Sequence, residues 1–406
     1  MNHSPHDYDL ILVGSGLVGA GLACALAMLE TGRQLRIAMI EAGGDMPRYS
    51  GGQFDPRVVA LTPASRHWLE RLQVWEAIRQ ARACTYRDMH VWDGEGTAAI
   101  HFSSADVRQD CLGHIVENSV AVRALRERLT QLPQVEVMQP VSIVELRGPQ
   151  PMQPGVQVTL SNGDTLQAPL LVAADGAQSR VREMAAFRTR EWDYQQQAIV
   201  TTVRTSQSHE HTAWQRFMYT GPLAFLPLQE AGDTHHCSIV WSADTPLAEE
   251  LMALDAAAFC ERLGFAFEHR LGNIEHCAER FCVPLRQRHA QQYCQPGIVL
   301  VGDAAHNIHP LAGQGVNLGL LDAAALTNEI ERALVRNIPL ADYSILRRYQ
   351  RQRLAGNLGM MSAMEGFKRL FGHRSLEVTL LRNIGLQTFN DLPLLKNYLV
   401  KQVMGV

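Results

Sequence analysis

Several kinds of signal are missing from this chain of 406 residues, and each absence removes a class of function. The eight cysteines (Cys24, Cys84, Cys111, Cys237, Cys260, Cys277, Cys282 and Cys294) contain no C-x-x-C pair and no matching histidine spacing. A disulfide scaffold and a structural zinc site are therefore not expected, and the thiols read as reduced, in a cytoplasmic protein. The formal net charge is only −4, with no basic arm and no acidic tail, so nucleic acid is not an expected partner. There is no internal repeat and no low-complexity tract. One uncharged run, Leu10 to Leu29, reaches the length of a membrane span. Gly14, Gly16, Gly19 and Gly21 crowd its first half, and Asp7 and Asp9 precede it in place of the cations of a signal segment. It reads as a buried strand, turn and helix.

A hydrophobic content of 46% in a chain of this length supports two domains with a substantial core. Strand at Tyr8 to Val13, helix at Ala20 to Glu30 and strand at Leu35 to Glu41 make one parallel crossover unit. Val58 to Gln80 has a helical pattern, and Arg87 to Phe102 looks like paired strands around Gly94 and Gly96. A helix at Val122 to Leu132 and strands at Val135 to Met138, Val156 to Leu160 and Leu170 to Ala174 follow. Ala198 to Arg204, Arg216 to Tyr219, Leu223 to Leu228 and Cys237 to Trp241 then predict an antiparallel sheet. Beyond it come a helix at Asp255 to Leu263, a strand at Ile298 to Val301 and a helix from Val316 to Val335, and almost everything after Ala341 is helical in pattern. The expected fold is α/β: a Rossmann-like dinucleotide-binding domain over 1–185 and 285–345, an inserted antiparallel substrate domain over 186–284 joined by strands from 85–110, and a helical region over 346–406.

Three motifs carry chemistry. In Gly14-Ser15-Gly16-Leu17-Val18-Gly19 the pattern G-x-G-x-x-G follows a predicted strand, opens a predicted helix and is followed by the acidic Glu41. Gly14 would make the tight turn, Gly16 would admit a pyrophosphate to the backbone, and Gly19 would allow close helix packing. Glu41 would accept the ribose hydroxyls of an adenosine. This signature does not separate FAD from NAD. Downstream, Gly302-Asp303 ends a strand, and Gly313-Gln314-Gly315-Val316-Asn317 opens a long helix. An aspartate at such a strand end can hold a ribityl hydroxyl, and the helix amides can face the N1–C2=O edge of an isoalloxazine and stabilise the charge it gains on reduction. Between these motifs, Asp175-Gly176 ends another apolar strand. His306 and His309 have a metal-like spacing but no third ligand, so no metal is expected and both read as packing or hydrogen-bonding residues.

In this order and spacing the motifs resemble the single-component aromatic flavin hydroxylases that fold like p-hydroxybenzoate hydroxylase. Longer blocks, such as Leu112 to Asn118, Gly221 to Leu228, Ser238 to Ser242 and His309 to Gly319, narrow the resemblance to the ubiquinone-biosynthesis hydroxylases, the UbiH/VisC-like group, over nearly the whole chain. The resemblance implies FAD held by Gly14, Gly16, Gly19, Glu41, Arg57, Gly302, Asp303 and the loop Gly313, Gln314, Gly315, Val316, Asn317, with Arg57 near the pyrophosphate. Asp175 and Gly176 would shape the site where a nicotinamide meets the flavin. The reductant would be NAD(P)H or another donor, and the co-substrates O2 and a polyprenylated phenol, whose ring Leu223, Phe225, Leu226 and Pro310 would shelter. Trp192 to Gln195, Met361 to Gly366 and then Leu370 to Gly372 point to early, C5-type hydroxylation, whereas Arg288 to Tyr293 and Leu346 to Gln350 look like the late-step enzyme; a prenyl-lipid reductase that does not use oxygen is a further alternative. From Gly359 the tail carries Lys368, Arg369, Arg374, Arg382, Lys396 and Lys401 against Glu365, Glu377 and Asp391. It is a candidate for peripheral attachment to the inner membrane or to a partner that presents the lipid.

Overall fold

The computed structural model describes residues 7–150, 155–307, 315–372, 390 and 392–405. Strand β1 (Leu10–Val13), helix α1 (Leu17–Ala27) and strand β2 (Ile37–Ile40) form the opening crossover, with β1 and β2 parallel. Both strands are wholly buried, and α1 is buried from Leu17 to Leu26 apart from Val18. The uncharged run is therefore a strand and a helix enclosed by protein. No described helix is long and apolar enough to cross a membrane.

The stretch read as one helix from Val58 instead begins with a strand, β3 (Val58–Leu61), followed by α2 (Pro63–Arg71) and α3 (Trp75–Arg82). The reason is local. Two valines favour the extended chain, Thr62 accepts the Ser65 N–H at 3.3 Å as an N-cap, Pro63 starts the helix, and Gln73 with φ 62° ends it. Next come β4 (Ala83–Tyr86), β5 (Asp88–Asp93), β6 (Ala99–Ser103), β7 (Gly113–Glu117), α4 (Asn118–Leu129), β8 (Val135–Met138), β9 (Ile143–Arg147), β10 (Val156–Leu160), β11 (Thr165–Ala168), β12 (Leu170–Ala173) and α5 (Arg180–Met184). The middle of the chain holds β13 (Thr189–Thr205), β14 (Thr212–Met218), β15 (Gly221–Glu230), β16 (Asp233–Asp244), α6 (Thr245–Ala253), α7 (Ala256–Ala266), β17 (Ile274–Cys277) and β18 (Phe281–Ala290). The chain then returns through β19 (Cys294–Gln295), β20 (Ile298–Leu300), β21 (His306–Asn307), α8 (Gly315–Val335) and α9 (Tyr343–Gly372) to a last helix, Pro393–Met404.

Two sheets organise the molecule. The first has the order β19-β20-β12-β1-β2-β8, is parallel through β20, β12, β1, β2 and β8, and shares its core with α1, α4 and α8. The second is a nine-stranded sheet with the order β21-β18-β13-β16-β15-β14-β5-β6, β17 pairing with β13. It is antiparallel except where β14 runs parallel to β5. Strand β18 continues to Ala290, so the boundary expected at 284/285 falls inside a strand.

Residues alternate across this sheet. Ile199, Val203, Leu223, Phe225, Ile239 and Trp241 point to one face and are sealed by Phe259, Leu263 and Phe267 of the α6–α7 layer. Phe225, expected beside the cofactor loops, is therefore a core residue: it is 0% exposed and stacks on Phe267 with ring centroids 3.7 Å apart. Leu223 shares that core. Leu226 lies on the other face and packs against Phe54, Ala60 and Ile115 of the first unit. Phe225→Ala should then cost about 3–5 kcal/mol of stability in urea unfolding and leave the KM for substrate unchanged once FAD is bound; a raised KM at unchanged stability would return Phe225 to the pocket.

Candidate functional site

The site is assembled where strands of the first sheet end. At Gly14 φ is +98° and a Cβ would lie 2.4 Å from the carbonyl oxygen of Ala174, so only glycine fits between the two strand ends. A Cβ on Gly19 would meet the Gly14 oxygen at 2.0 Å. Gly16 differs: it is exposed, its φ of −67° and ψ of −177° suit any residue, and a Cβ there would have nothing within 4 Å among the described residues. No described atom requires glycine at this position. The open space lies at the start of α1, whose first-turn N–H groups have no partner within the helix and attract an anion.

Glu41, at the end of β2, is fixed from the same turn. Its Oε2 accepts the Ser15 N–H at 2.7 Å and the Ser15 hydroxyl at 2.8 Å, and its Oε1 accepts the Gly43 N–H at 2.6 Å. Arg126 of α4 donates to the Ser15 hydroxyl at 2.6 Å and stands 3.7 Å from the carboxylate. Burial alone would raise the Glu41 pKa, but the Ser15 and Gly43 donors and the Arg126 charge hold it below the ordinary carboxylate range. Oε1 keeps lone-pair capacity for a ribose hydroxyl. The second residue of the glycine turn thus has a function of its own, and neither it nor Arg126 is legible in the G-x-G-x-x-G pattern.

The second loop follows β20. Gly302 takes φ +58°, and Asp303 is half-buried beside it. Burial raises the Asp303 pKa and Asp322 adds to that, while His306 and Arg57 oppose it. Arg57, exposed, thus faces the second loop electrostatically. Helix α8 begins at Gly315, which puts the N–H groups of Gly315, Val316 and Asn317 in its first turn. The Asn317 side chain is not free for a ligand: it donates to the Ala60 carbonyl at 2.7 Å and accepts from the Thr62 N–H at 3.1 Å and the Ser65 hydroxyl at 2.7 Å. It clamps α8 to β3 and α2. A Cβ on Gly319 would lie 2.6 Å from Val18 and 3.2 Å from Gly302, so that glycine brings α8 against both loops. Pro310, Gly313, Gln314 and His309 lie outside the described residues.

Behind Gly302 lies a buried network that motif reading passes over. Asp322, 0% exposed, accepts the Gly302 N–H at 3.1 Å, pairs with His306 at 2.5 Å and with Arg353 of α9 at 2.6 Å, and takes a bond from Asn357 at 3.3 Å. Its burial would raise its pKa, yet His306 and Arg353 hold it low, so it is an anion inside the protein. His306, read from sequence as a packing or hydrogen-bonding residue in spite of its metal-like spacing, is 0% exposed and bonds Asp322 through its Nε2. The third loop is tied in by Arg182, 3% exposed, which donates to the Ala304 carbonyl at 3.0 Å and the Ala177 carbonyl at 2.8 Å. Asp175 ends β12 on that loop. Its Oδ2 accepts the Val181 N–H at 3.2 Å, its Oδ1 is buried without a partner among the described residues, and burial raises its pKa.

Glycine turns at two strand ends, an open helix start, an acidic residue after β2 and an unsatisfied buried carboxylate oxygen fit an extended dinucleotide, and the similarities to known proteins make the class that of the FAD-dependent monooxygenases. The family profile for an FAD binding domain matches residues 7–362. The 3-demethoxyubiquinol 3-hydroxylase of Escherichia coli is 35% identical over 398 residues, covering 98% of each chain. The mitochondrial ubiquinone biosynthesis monooxygenase COQ6 of Danio rerio is 33% identical over 434 residues, covering 97% of this chain and 89% of its own. The chain belongs to this family of ubiquinone-biosynthesis monooxygenases. In fold it is also similar to the crystal structure of p-nitrophenol 4-monooxygenase PnpA from Pseudomonas putida DLL-E4, with a TM-score of 0.77 at 19% identity and 98% of each chain covered.

Two substitutions separate ligand from scaffold. Gly16→Ala should leave the stability of the FAD-free protein within about 0.5 kcal/mol of wild type and weaken FAD binding at least about tenfold in fluorescence titration; unchanged affinity would remove Gly16 from the cradle. Asp322→Asn should cost about 3–5 kcal/mol at pH 7. Because the folded-state pKa of Asp322 is depressed, its contribution is present above the unfolded value of about 3.9 and is lost as pH falls through the lower folded value. The gap between wild type and variant in chemical denaturation should therefore close on acidification; a gap that widens would contradict the anionic assignment.

Proposed function

We propose that the protein hydroxylates the aromatic ring of a polyprenylated phenol or quinol in ubiquinone biosynthesis, with C5-type hydroxylation of a 2-polyprenylphenol as the first reading. The observation that carries it is the similarity to ubiquinone-biosynthesis monooxygenases along the whole chain, at 31–35% identity to the bacterial and vertebrate relatives. A different ring position, on a quinol, is favoured by the activity named for the Escherichia coli relative.

FAD, when bound, supplies the chemistry, activating O2 and transferring one oxygen atom to the ring. On this reading Gly14, Gly16 and Gly19 with the first turn of α1 receive the pyrophosphate, with Arg57 close by. Glu41 holds the adenosine ribose, and the Gly302–Asp303 turn holds the ribityl chain. The segment Gly313 to Asn317 would face the N1–C2=O edge, where the dipole of α8, which begins at Gly315, favours negative charge. Asp175, through its unsatisfied oxygen, completes the site on the side where NAD(P)H or another donor arrives. The chain's own task beyond binding is to orient the phenol and keep water out, which suits the uncharged face formed by Ala224, Val240 and Val200.

The enzyme would work in the cytoplasm, peripheral to the inner membrane. Not every cation of the C-terminal region is available for attachment: Lys396 is buried and bonded to the His101 carbonyl at 3.1 Å, with Asp106 at 3.5 Å, while Lys401 is exposed.

Purified protein loaded with FAD, given NAD(P)H, a prenylated phenol and oxygen-18 gas, should consume O2 and return a phenol heavier by one labelled oxygen, with the ring position read by NMR. Reduction of the prenyl chain without oxygen uptake would assign the protein to the reductases.

A further inference from the structure

The uncovered face of the nine-stranded sheet has an unusual composition. Where a sheet meets solvent, polar side chains are expected. Here one rung runs Ala224, Val240, Val200, Phe281 across β15, β16, β13 and β18, each paired with the next. The neighbouring rung adds Val283, opposite the buried Ala198. Ala224, Val240 and Val200 are only half-buried, and Phe281 and Val283 are 40% and 52% exposed. None of these five carries a polar side chain. They form a strip about 14 Å long that starts in the middle of the sheet and ends at β18, whose outer side is paired, among the described residues, only with β21 at Arg288 and His289.

The inner end of the strip belongs to the proposed site. Leu226 and His236, on the same face, pack on Phe54 of the first unit, so this is the face turned toward the cofactor loops. One rung further in, Ser238 pairs with Leu226 and Thr202, and its hydroxyl is buried with no partner among the described residues. A buried hydroxyl left unsatisfied costs about 1–3 kcal/mol, and a ligand oxygen at this point would remove that cost. On the far side the face is covered by α9, where Phe371 stacks on Phe217 at 4.2 Å. The strip is what remains open between the two covered parts.

We propose that this strip binds the polyprenyl chain of the substrate, leading it from a ring held near Ser238 to the edge of the sheet at Phe281 and Val283. The inference rests on the reading of the substrate given above and adds the path of its tail. A long uncharged hydrocarbon matches an uncharged strip with one open end, and every buried CH2 contributes about 0.8 kcal/mol. A tail longer than the strip emerges at the β18 edge, past Phe281 and Val283, which are 40% and 52% exposed.

The test compares one phenol carrying a long polyprenyl chain with the same phenol carrying a single isoprene unit, using wild type, Val283→Asp and Phe281→Asp. A charge placed against the chain should raise the KM for the long-chain phenol at least about tenfold, while kcat and KM for the one-isoprene phenol and the bound FAD stay within about twofold. If an aspartate lowers the FAD content, Val283→Gln gives the same comparison without the charge and should shift the long-chain KM in the same direction. Equal long-chain KM in all proteins overturns the path, and so does an equal loss on both phenols at full FAD content. Wild-type protein that hydroxylates neither phenol overturns the substrate reading itself, and the path with it.

Discussion

A single buried carboxylate holds the candidate site together. Asp322 lies on α8, yet it receives the N–H of Gly302, the ring of His306, the guanidinium of Arg353 and the amide of Asn357. Those partners come from the loop after β20, from the strand that joins the nine-stranded sheet, and from α9. An anion at zero exposure is costly unless its lone pairs are filled, and here each oxygen has two donors. Satisfying one charge therefore fixes the Gly302–Asp303 turn, α8 and α9 relative to one another.

Asp322 fixes the Gly302–Asp303 turn and the close approach of Gly14 to Ala174 fixes the first turn, so both turns are held by the protein's own contacts. Preorganisation of this kind lets binding free energy go into orientation of the ligand and not into ordering the protein. The two faces of the large sheet divide the remaining work. One is sealed by α6 and α7 around Phe225 and Phe267 and supplies stability. The other, built from the intervening residues of the same strands, is left partly open and apolar toward the cofactor loops.

Much of this is legible in the sequence, for physical reasons that also mark the limits. The crossover β1–α1–β2 announces itself because four glycines at the head of an uncharged run suit a tight turn between a buried strand and a buried helix and little else. Strands β13 to β16 are visible because aromatic and β-branched residues are bounded by turn residues. Strand β3 is hidden because its two valines precede a helix and blend into its pattern, and β18 because Arg286, Gln287 and Arg288 interrupt its apolar residues. Phe225 is misplaced by sequence reasoning on different grounds: a strand pattern shows that Leu223 and Phe225 share a face, but only the position of α6 and α7 shows which face is the core. The Ser15–Glu41–Arg126 contact and the Asp322 network span separations of up to 111 residues, and no local pattern reveals such pairs.

Delivery of oxygen from a bound flavin to a prenylated ring is tested most directly in cells. Deletion of the gene, followed by mass spectrometry of the lipid extract, should show less ubiquinone and an accumulated polyprenylated phenol or quinol lacking one ring oxygen, reversed by the wild-type gene and not by one encoding Gly16→Ala. Normal ubiquinone with no accumulated precursor would contradict the account.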